Sequence, residues 1–238
     1  MLKLKINYMK KFFKNIFPPF LISLYREIYI KFLIYKNQRF VNSDNQDIDI
    51  YETDLAAEKL SEWGEGTTWN EIKMFFISQE GKVLDLACGI GRNMRDIKNI
   101  NPNLDLYGCD ISQNLIDICI KSGVDKNKLI CCDAAKINFD QNFFDYSYSI
   151  GSLEHFTEKG LEQVINKLHF ITRKFSIHMM PVSKKNLNEG WIKTYQTFHN
   201  NKIEWWVEKF KKKFSRVDVI DSAWQDHISI GKWFICYK

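Results

Sequence analysis

The run Val83-Leu84-Asp85-Leu86-Ala87-Cys88-Gly89-Ile90-Gly91-Arg92-Asn93 decides how this chain folds. Apolar residues crowd around one acid with no helical period, which reads as a buried strand over Lys82–Ala87. A glycine turn follows, then a helix expected from Arg92 to Ile100. A strand, a glycine turn and a helix, in that order, present backbone N–H groups to a ligand at the carboxyl edge of a sheet. Gly89 and Gly91 admit a ligand where a Cβ would collide.

Downstream the same alternation repeats. Strands are expected at Asp105–Asp110, Lys128–Cys132, Phe144–Ile150 and Phe175–Met179, and at Arg216–Asp221 and Ile228–Tyr237 near the end. Helices are expected after Ser112 as cap, through Lys121 to a stop at Gly123, and over Glu158–Thr172 and Ile203–Lys213. Strand–helix alternation at this period predicts a mostly parallel, doubly wound α/β sheet. Upstream, a helix is expected over Asp54–Trp63 with Gly64 and Gly66 as stop signals. Thr68-Trp69-Asn70-Glu71 matches a capping box for a second helix, Trp69–Ser78.

The 238 residues carry a net charge of +5, but unevenly. Residues 1–40 hold nine of the 34 Lys and Arg and one of the 29 acids, so this segment is at +8 and the rest at −3. A long nucleic-acid track across the main body is therefore not expected. After Pro18-Pro19, Leu21, Leu24, Ile28 and Phe32 fall at helical spacing, opposite Arg26, Glu27 and Lys31. The charges interrupt the run before the ~20 apolar residues that a spanning helix requires. No small-residue cleavage site marks a secretory signal. Two readings remain: an interfacial helix on an anionic membrane, or an amphipathic helix packed on its own domain or on a second subunit. Residues 41–53 read as a polar, acidic linker. Six cysteines without a CxxC pair fit reduced cytoplasmic thiols better than a zinc site or a disulfide framework, and no metal is expected.

Asp110 is the next acid at a strand end, 19 residues beyond Gly91. A carboxylate there can accept both hydrogens of a ribose diol. A nicotinamide dehydrogenase would show the same two features, but GxGxxG requires a third glycine where Met94 stands. That glycine serves close packing beneath a pyrophosphate, so a cofactor without a pyrophosphate fits better.

These residues resemble the class I S-adenosylmethionine (SAM)-dependent methyltransferases over residues 54–238. The fold implied is Rossmann-like and doubly wound, with a mostly parallel seven-stranded sheet, an antiparallel last strand and N-terminal helices. VLDLACGIG resembles the first motif, in which Asp85, Ala87, Cys88, Gly89 and Gly91 would lie along the methionine half of SAM. LYGCDIS would set Asp110 on the ribose and Ile111 against the adenine. CCDAAKINF would bring Asp133 and Ala134 to the adenine edge. FDYSYSIGSLEHF would border the sulfonium with Ser149 to Leu153, Ile150 and Gly151 among them, and Trp69 would join a lid.

Methyl transfer requires a nucleophile held at attack distance and, for a hydroxyl acceptor, a base. His155, just after the fourth strand, is the candidate base, or it orients substrate. Glu154 either replaces it or caps the next helix. The fourth strand leads into Ser149-Ile150-Gly151-Ser152 rather than the [DN]PP[YF] box of nucleobase-amine and glutamine methyltransferases. Residues 181–213, rich in aromatic, Asn and His side chains, are expected to cover the acceptor. Trp191, Tyr195, His199, Asn200 and Trp205 would stack on and hydrogen-bond to sugar, with plain core as the alternative for at least one tryptophan. WGEGTTWNEI, HNNKIEWWVEKF and DSAWQDHISIGKWFI resemble bacterial methyltransferases of surface-polysaccharide or lipopolysaccharide assembly. The expectation is O-methylation of a sugar or polysaccharide precursor at the cytoplasmic membrane face, without nucleic acid. Another small metabolite, a lipid or a protein as acceptor, and a catalytically inactive binding or scaffold module, are the competing readings.

Overall fold

The computed structural model describes residues 51–193 and 196–238, with residues 54–56 and 193 described by their backbone alone. The basic segment 1–40, nearly all of the linker and Tyr195 lie outside these residues.

Two helices come first, α1 (Asp54–Glu62) and α2 (Thr68–Phe76). The alternation then runs β1 (Gly81–Leu86), α3 (Arg92–Ile100), β2 (Leu104–Asp110), α4 (Gln113–Lys121), β3 (Leu129–Cys131), β4 (Phe144–Ile150), α5 (Glu158–Ile171) and β5 (Thr172–Ser183). A hairpin, β6 (Trp191–Lys193) and β7 (Thr197–His199), precedes α6 (Ile203–Lys211), β8 (Arg216–Gln225) and β9 (Ser229–Tyr237). The main sheet has seven strands in the order β3-β2-β1-β4-β5-β9-β8. All neighbours from β3 to β5 pair in parallel, and β9 runs antiparallel to both β5 and β8. The expected doubly wound sheet with one antiparallel last strand is what forms.

Strand order reverses between β1 and β4, so the carboxyl ends of these two strands open a crevice where ligands bind in open α/β sheets. Both sheet faces are covered. Leu84, Leu86, Phe144, Leu161, Leu168, Trp206 and Phe234 belong to one apolar cluster, and Ile72, Phe76, Val83, Met94, Ile97 and Trp233 to the other. The buried face of α6 is Trp206 and Phe210, four residues apart, while Trp205 is only half-buried.

Three local expectations differ from the structure. The capping box does not form: Thr67 is the residue before α2, and no side chain caps the helix. Glu71 instead accepts hydrogen bonds from the Ser222 hydroxyl (2.7 Å), the Ala223 N–H (2.7 Å) and the Trp233 indole N–H (2.6 Å). Its carboxylate ties α2 to the bulge in β8. Second, β5 does not end at Met179. Pro181 continues it, opposite Gly231 of β9, because pairing with β4 stops at Ile150–Met179 and leaves no partner for an N–H on that side. Third, the β6–β7 hairpin was not expected at all. Among the described residues no helix is long and apolar enough to cross a membrane.

Candidate functional site

A cavity opens at the carboxyl ends of β1, β2 and β4. Ala87 and Gly89 line it from the loop after β1, Asp110 and Ile111 from the end of β2, and Asp133 and Ala134 from beyond β3. Ile150, Gly151 and His155 close it from beyond β4. Nine of the residues named from sequence thus share one wall.

The glycine loop works differently from the expectation. Three of its N–H groups are engaged within the protein: Cys88 donates to the Cys109 carbonyl (2.9 Å), Gly91 to the Cys88 carbonyl (2.9 Å) and Gly89 to Asp110 Oδ2 (2.8 Å). The loop therefore fixes the Asp110 carboxylate, whose Oδ1 also accepts the Ser112 N–H at 3.0 Å. Each of these oxygens has a second lone pair, so acceptor capacity remains for a diol. Burial raises the Asp110 pKa, against the N–H groups of Ser112 and Gly89, which lower it. Ala87, at φ 58°, occupies the left-handed region without being a glycine. Backbone strain thus sits on the cavity wall.

Other sequence candidates support the wall from behind. Asp85 is 2% exposed, and the Tyr148 hydroxyl donates to its Oδ2 at 2.8 Å. Burial pushes its carboxyl well above the ordinary carboxylate range. Cys88 is buried in the second apolar cluster. Gly91, at φ 72°, leads into α3, and a Cβ there would collide with Cys119 Sγ. Ser149 Oγ lies 2.8 Å from Nδ1 of the buried His178, whose Nε2 is 2.7 Å from Ser176 Oγ. Trp69 is buried beneath the Arg92 guanidinium, 3.9 Å from its ring centre, and does not reach the cavity.

The end of the cavity beyond β4 is built by the turn Leu153–His155 and the β6–β7 hairpin. His155 Nδ1 lies 2.8 Å from the Thr197 carbonyl oxygen. A carbonyl only accepts, so Nδ1 carries a hydrogen, and in the neutral form of the ring the lone pair lies on Nε2. Nε2 is 3.8 Å from Glu154 Oε1. Glu154 does not line the cavity, and burial raises its pKa to about 8, so it is protonated at neutral pH. Its Oε2 has no hydrogen-bond partner among the described residues.

The aromatic cover is mostly scaffold. Trp191, His199, Asn200 and Trp205 are not on the cavity wall. His199 packs between Trp191 and Trp205, with ring centres at 4.8 and 4.9 Å. Asn200 donates to Glu189 Oε2 (2.6 Å) and accepts from Ser229 Oγ (3.1 Å), which locks the hairpin to β9. The hairpin instead contributes Gln196 and Thr197 to the cavity. Sequence reasoning missed both, along with Tyr51, Leu60 and Phe156. Leu60 is an apolar residue of α1 and would pass for core, and the polar pair follows no periodic pattern.

The chemistry of this wall fits SAM. A fixed carboxylate suits the ribose diol, Ile111 and Ala134 suit a purine face, and the close backbone at Ala87 and Gly89 suits the methionine half. Residues 83–174 match a family model described as a methyltransferase domain. A tRNA (carboxymethyluridine(34)-5-O)-methyltransferase of Xenopus tropicalis is 32% identical over 45% of this chain and 17% of its own length. Phosphoethanolamine N-methyltransferase 2 of Caenorhabditis elegans is 28% identical over 52% of this chain and 30% of its own length. The chain therefore spans less than a third of these curated relatives. Among solved structures, phosphoethanolamine N-methyltransferase 2 of Haemonchus contortus, in complex with S-adenosyl-L-methionine, superposes with a TM-score of 0.56 at 15% identity, over 71% of this chain and 52% of that one. A SAM-dependent methyltransferase of Mesorhizobium loti gives 0.58 at 13% identity, over 75% of this chain and 100% of that one. At these identities the structures show a shared fold. Relatives named for tRNA also weigh against excluding nucleic acid on charge alone. Residues 83–174, which build most of the cavity, match the methyltransferase-domain model, and the chain shares the fold of SAM-dependent methyltransferases.

Proposed function

We propose that this chain is a SAM-dependent O-methyltransferase acting on a hydroxyl of a sugar or surface-polysaccharide precursor. The observation that carries the reading is His155, at the cavity wall with its Nδ1–H held by the Thr197 carbonyl at 2.8 Å. That contact directs the lone pair of Nε2 to act as base, the role a hydroxyl acceptor requires. Bound SAM supplies the electrophilic methyl carbon on its sulfonium. Asp110 holds the ribose, while Ile111, Asp133 and Ala134 hold the adenine. Ile150 and Gly151 border the sulfonium, and His155 takes the acceptor's proton at Nε2. Glu154 is kept neutral by burial beside it. Ser152, Phe156 and Gln196 complete the acceptor side, in place of the tryptophans expected from sequence. Among the described residues no Lys or Arg lines the cavity, which supports a neutral hydroxyl over a phosphate-bearing acceptor.

Lipid-linked precursors are built at a membrane face, and residues 1–40, at +8, carry the charge for anionic lipid there. A second reading, methylation of RNA, is favoured by the relatives named for tRNA and by the same basic segment. The test offers labelled SAM with nucleotide-sugars, lipid-linked oligosaccharides, lipid extracts and total tRNA. Label in a glycan fraction supports the sugar reading. Label only in tRNA or in a non-glycan fraction rejects it.

A further inference from the structure

Positive charge in the body of the chain is gathered at one end of the sheet, away from the cavity. Residues 167–174 (KLHFITRK) and 209–216 (KFKKKFSR) carry eight Lys and Arg and no acid, although residues 41–238 together stand at −3. The fold brings both segments to the amino end of the sheet, where α5 and α6 end and β5 and β8 begin. Three contacts hold them there. The Phe214 ring centre lies 5.3 Å from that of His169, the Ser215 N–H donates to the Tyr237 carbonyl (2.9 Å), and Lys238 Nζ donates to the Thr172 carbonyl (2.9 Å). Phe170 belongs to the same end: its carbonyl accepts the Asn142 N–H at 3.0 Å, and the residue is 44% exposed. Three of the eight bases face a carboxylate, Lys209 with Glu158, Arg173 with Asp145 and Arg216 with Asp218. Lys167, Lys174, Lys211, Lys212 and Lys213 form no ion pair among the described residues, and the last four are exposed. One cation at each helix C-terminus would answer the dipoles of α5 and α6, but Lys174, Lys212 and Lys213 lie beyond both helices.

The cavity end has the opposite character. Asp110 and Asp133 line the cavity, and among the described residues no base does. Ile150 on its wall pairs with Met179, seven residues along β5 from Thr172, so the two ends are about 23 Å apart. A polyanionic acceptor such as RNA would bring its phosphates to the cavity mouth, where no lysine meets them. Charge placed at the far end instead suits a surface on which the enzyme sits while it works.

We propose that the amino end of the sheet is a docking surface for an anionic membrane, with Lys174 and Lys211 to Lys213 on the headgroups and Phe170 at the acyl boundary. Docked in this way, the cavity opens away from the bilayer, about 20–25 Å beyond the headgroups. On the sugar reading, the methylated hydroxyl then lies several residues along a lipid-linked glycan, not on the sugar beside the lipid phosphate. A cavity wall without Lys or Arg among the described residues agrees with that. This consequence rests on the sugar reading, whereas docking itself does not.

The test co-sediments the full chain with phosphatidylcholine vesicles, with and without phosphatidylglycerol, at low and high salt. Binding is expected to require phosphatidylglycerol and to weaken with salt. Lys211→Gln/Lys212→Gln/Lys213→Gln should weaken it by at least about 30-fold, and Phe170→Ala by at least about threefold. Lys121→Gln/Lys126→Gln/Lys159→Gln removes the same charge from exposed lysines elsewhere and should stay within about threefold of the unsubstituted chain. Circular dichroism melts check that all the variants fold alike. No binding to anionic vesicles, equal losses in the two triple variants, or unchanged binding in the Lys211–Lys213 variant overturns the proposal. So does a Lys211–Lys213 variant that loses affinity for total tRNA but keeps it for vesicles, since the surface is then one for nucleic acid. If docking behaves as expected but labelled SAM marks no glycan fraction, the surface stands and it is the sugar reading that fails.

Discussion

Gly151 is the point at which the cavity wall and the N-terminal helices meet, and Gly151→Ala measures how tightly they are joined. Its φ is +61°, and a Cβ built there lies 2.6 Å from Cη2 of Trp63. The left-handed backbone alone costs an alanine about 1 kcal/mol. A carbon–carbon contact requires at least ~3.5 Å, so the indole has to shift by roughly 1 Å. That ring also rests against Trp224, with ring centres 5.7 Å apart, and overpacking of this kind costs about 1–3 kcal/mol. Together these give about 2–4 kcal/mol, or roughly 5–15 °C in Tm for a chain of this size. Urea unfolding followed by tryptophan fluorescence measures the loss. In Gly151→Ala/Trp63→Leu the steric part is relieved, so the double variant should be about 1–3 kcal/mol more stable than the sum of the two single losses implies. A neutral Gly151→Ala, or strictly additive variants, would refute the packing argument.

Other predictions concern charge and strain. His155→Gln should lose turnover on an identified acceptor by at least about 100-fold while SAM affinity stays within a factor of about two, and near-normal turnover removes His155 as the base. Burial raises the Glu154 pKa from 4.5 to about 8, so its contribution to stability is complete below pH 4.5 and is lost as pH rises towards 8. Glu154→Gln should therefore gain a few kcal/mol relative to the unsubstituted chain between pH 5 and pH 8, and a gap that does not change with pH contradicts this. His199 goes the other way. Its pKa is lowered from 6.5 to about 4, so stability is complete above pH 6.5 and falls by up to about 3 kcal/mol as pH drops through 4. An identical acid limb in His199→Phe would refute that assignment. Ala87→Gly should stabilise the chain by up to about 1 kcal/mol by relieving the left-handed backbone at φ 58°, and a loss of stability would mean the methyl group packs well enough to outweigh the strain.

The parts of the fold that were readable in sequence are those where one local signal dominates. The helix α3 and the strand β4 fall where expected because glycines, acids and apolar runs mark their ends without ambiguity. Ser112 caps α4 as expected, accepting the Leu115 N–H at 3.2 Å. Thr68 to Glu71 fit a capping pattern equally well, yet Glu71 is drawn to Trp233, 162 positions away, and no local pattern encodes that. The wall formed by β1 to β3 was readable because Asp110 ends β2 and Asp133 closely follows β3. The opposite wall was not, because Gln196 and Thr197 reach the cavity only through a hairpin of three-residue strands. Aromatic density pointed to a segment that lines the cavity with Gln196 and Thr197 rather than with its aromatic rings. Trp191, His199 and Asn200 hold the hairpin in place, and the hairpin in turn brings a backbone carbonyl to His155.

Titration calorimetry of the full, reduced chain with SAM and with S-adenosylhomocysteine tests the central claim most directly. The account predicts saturable one-to-one binding of both, weakened by about 10- to 100-fold in Asp110→Ala, which removes charge-assisted hydrogen bonds to the ribose. No binding of either ligand, or an affinity unchanged by Asp110→Ala in a folded protein, would contradict it.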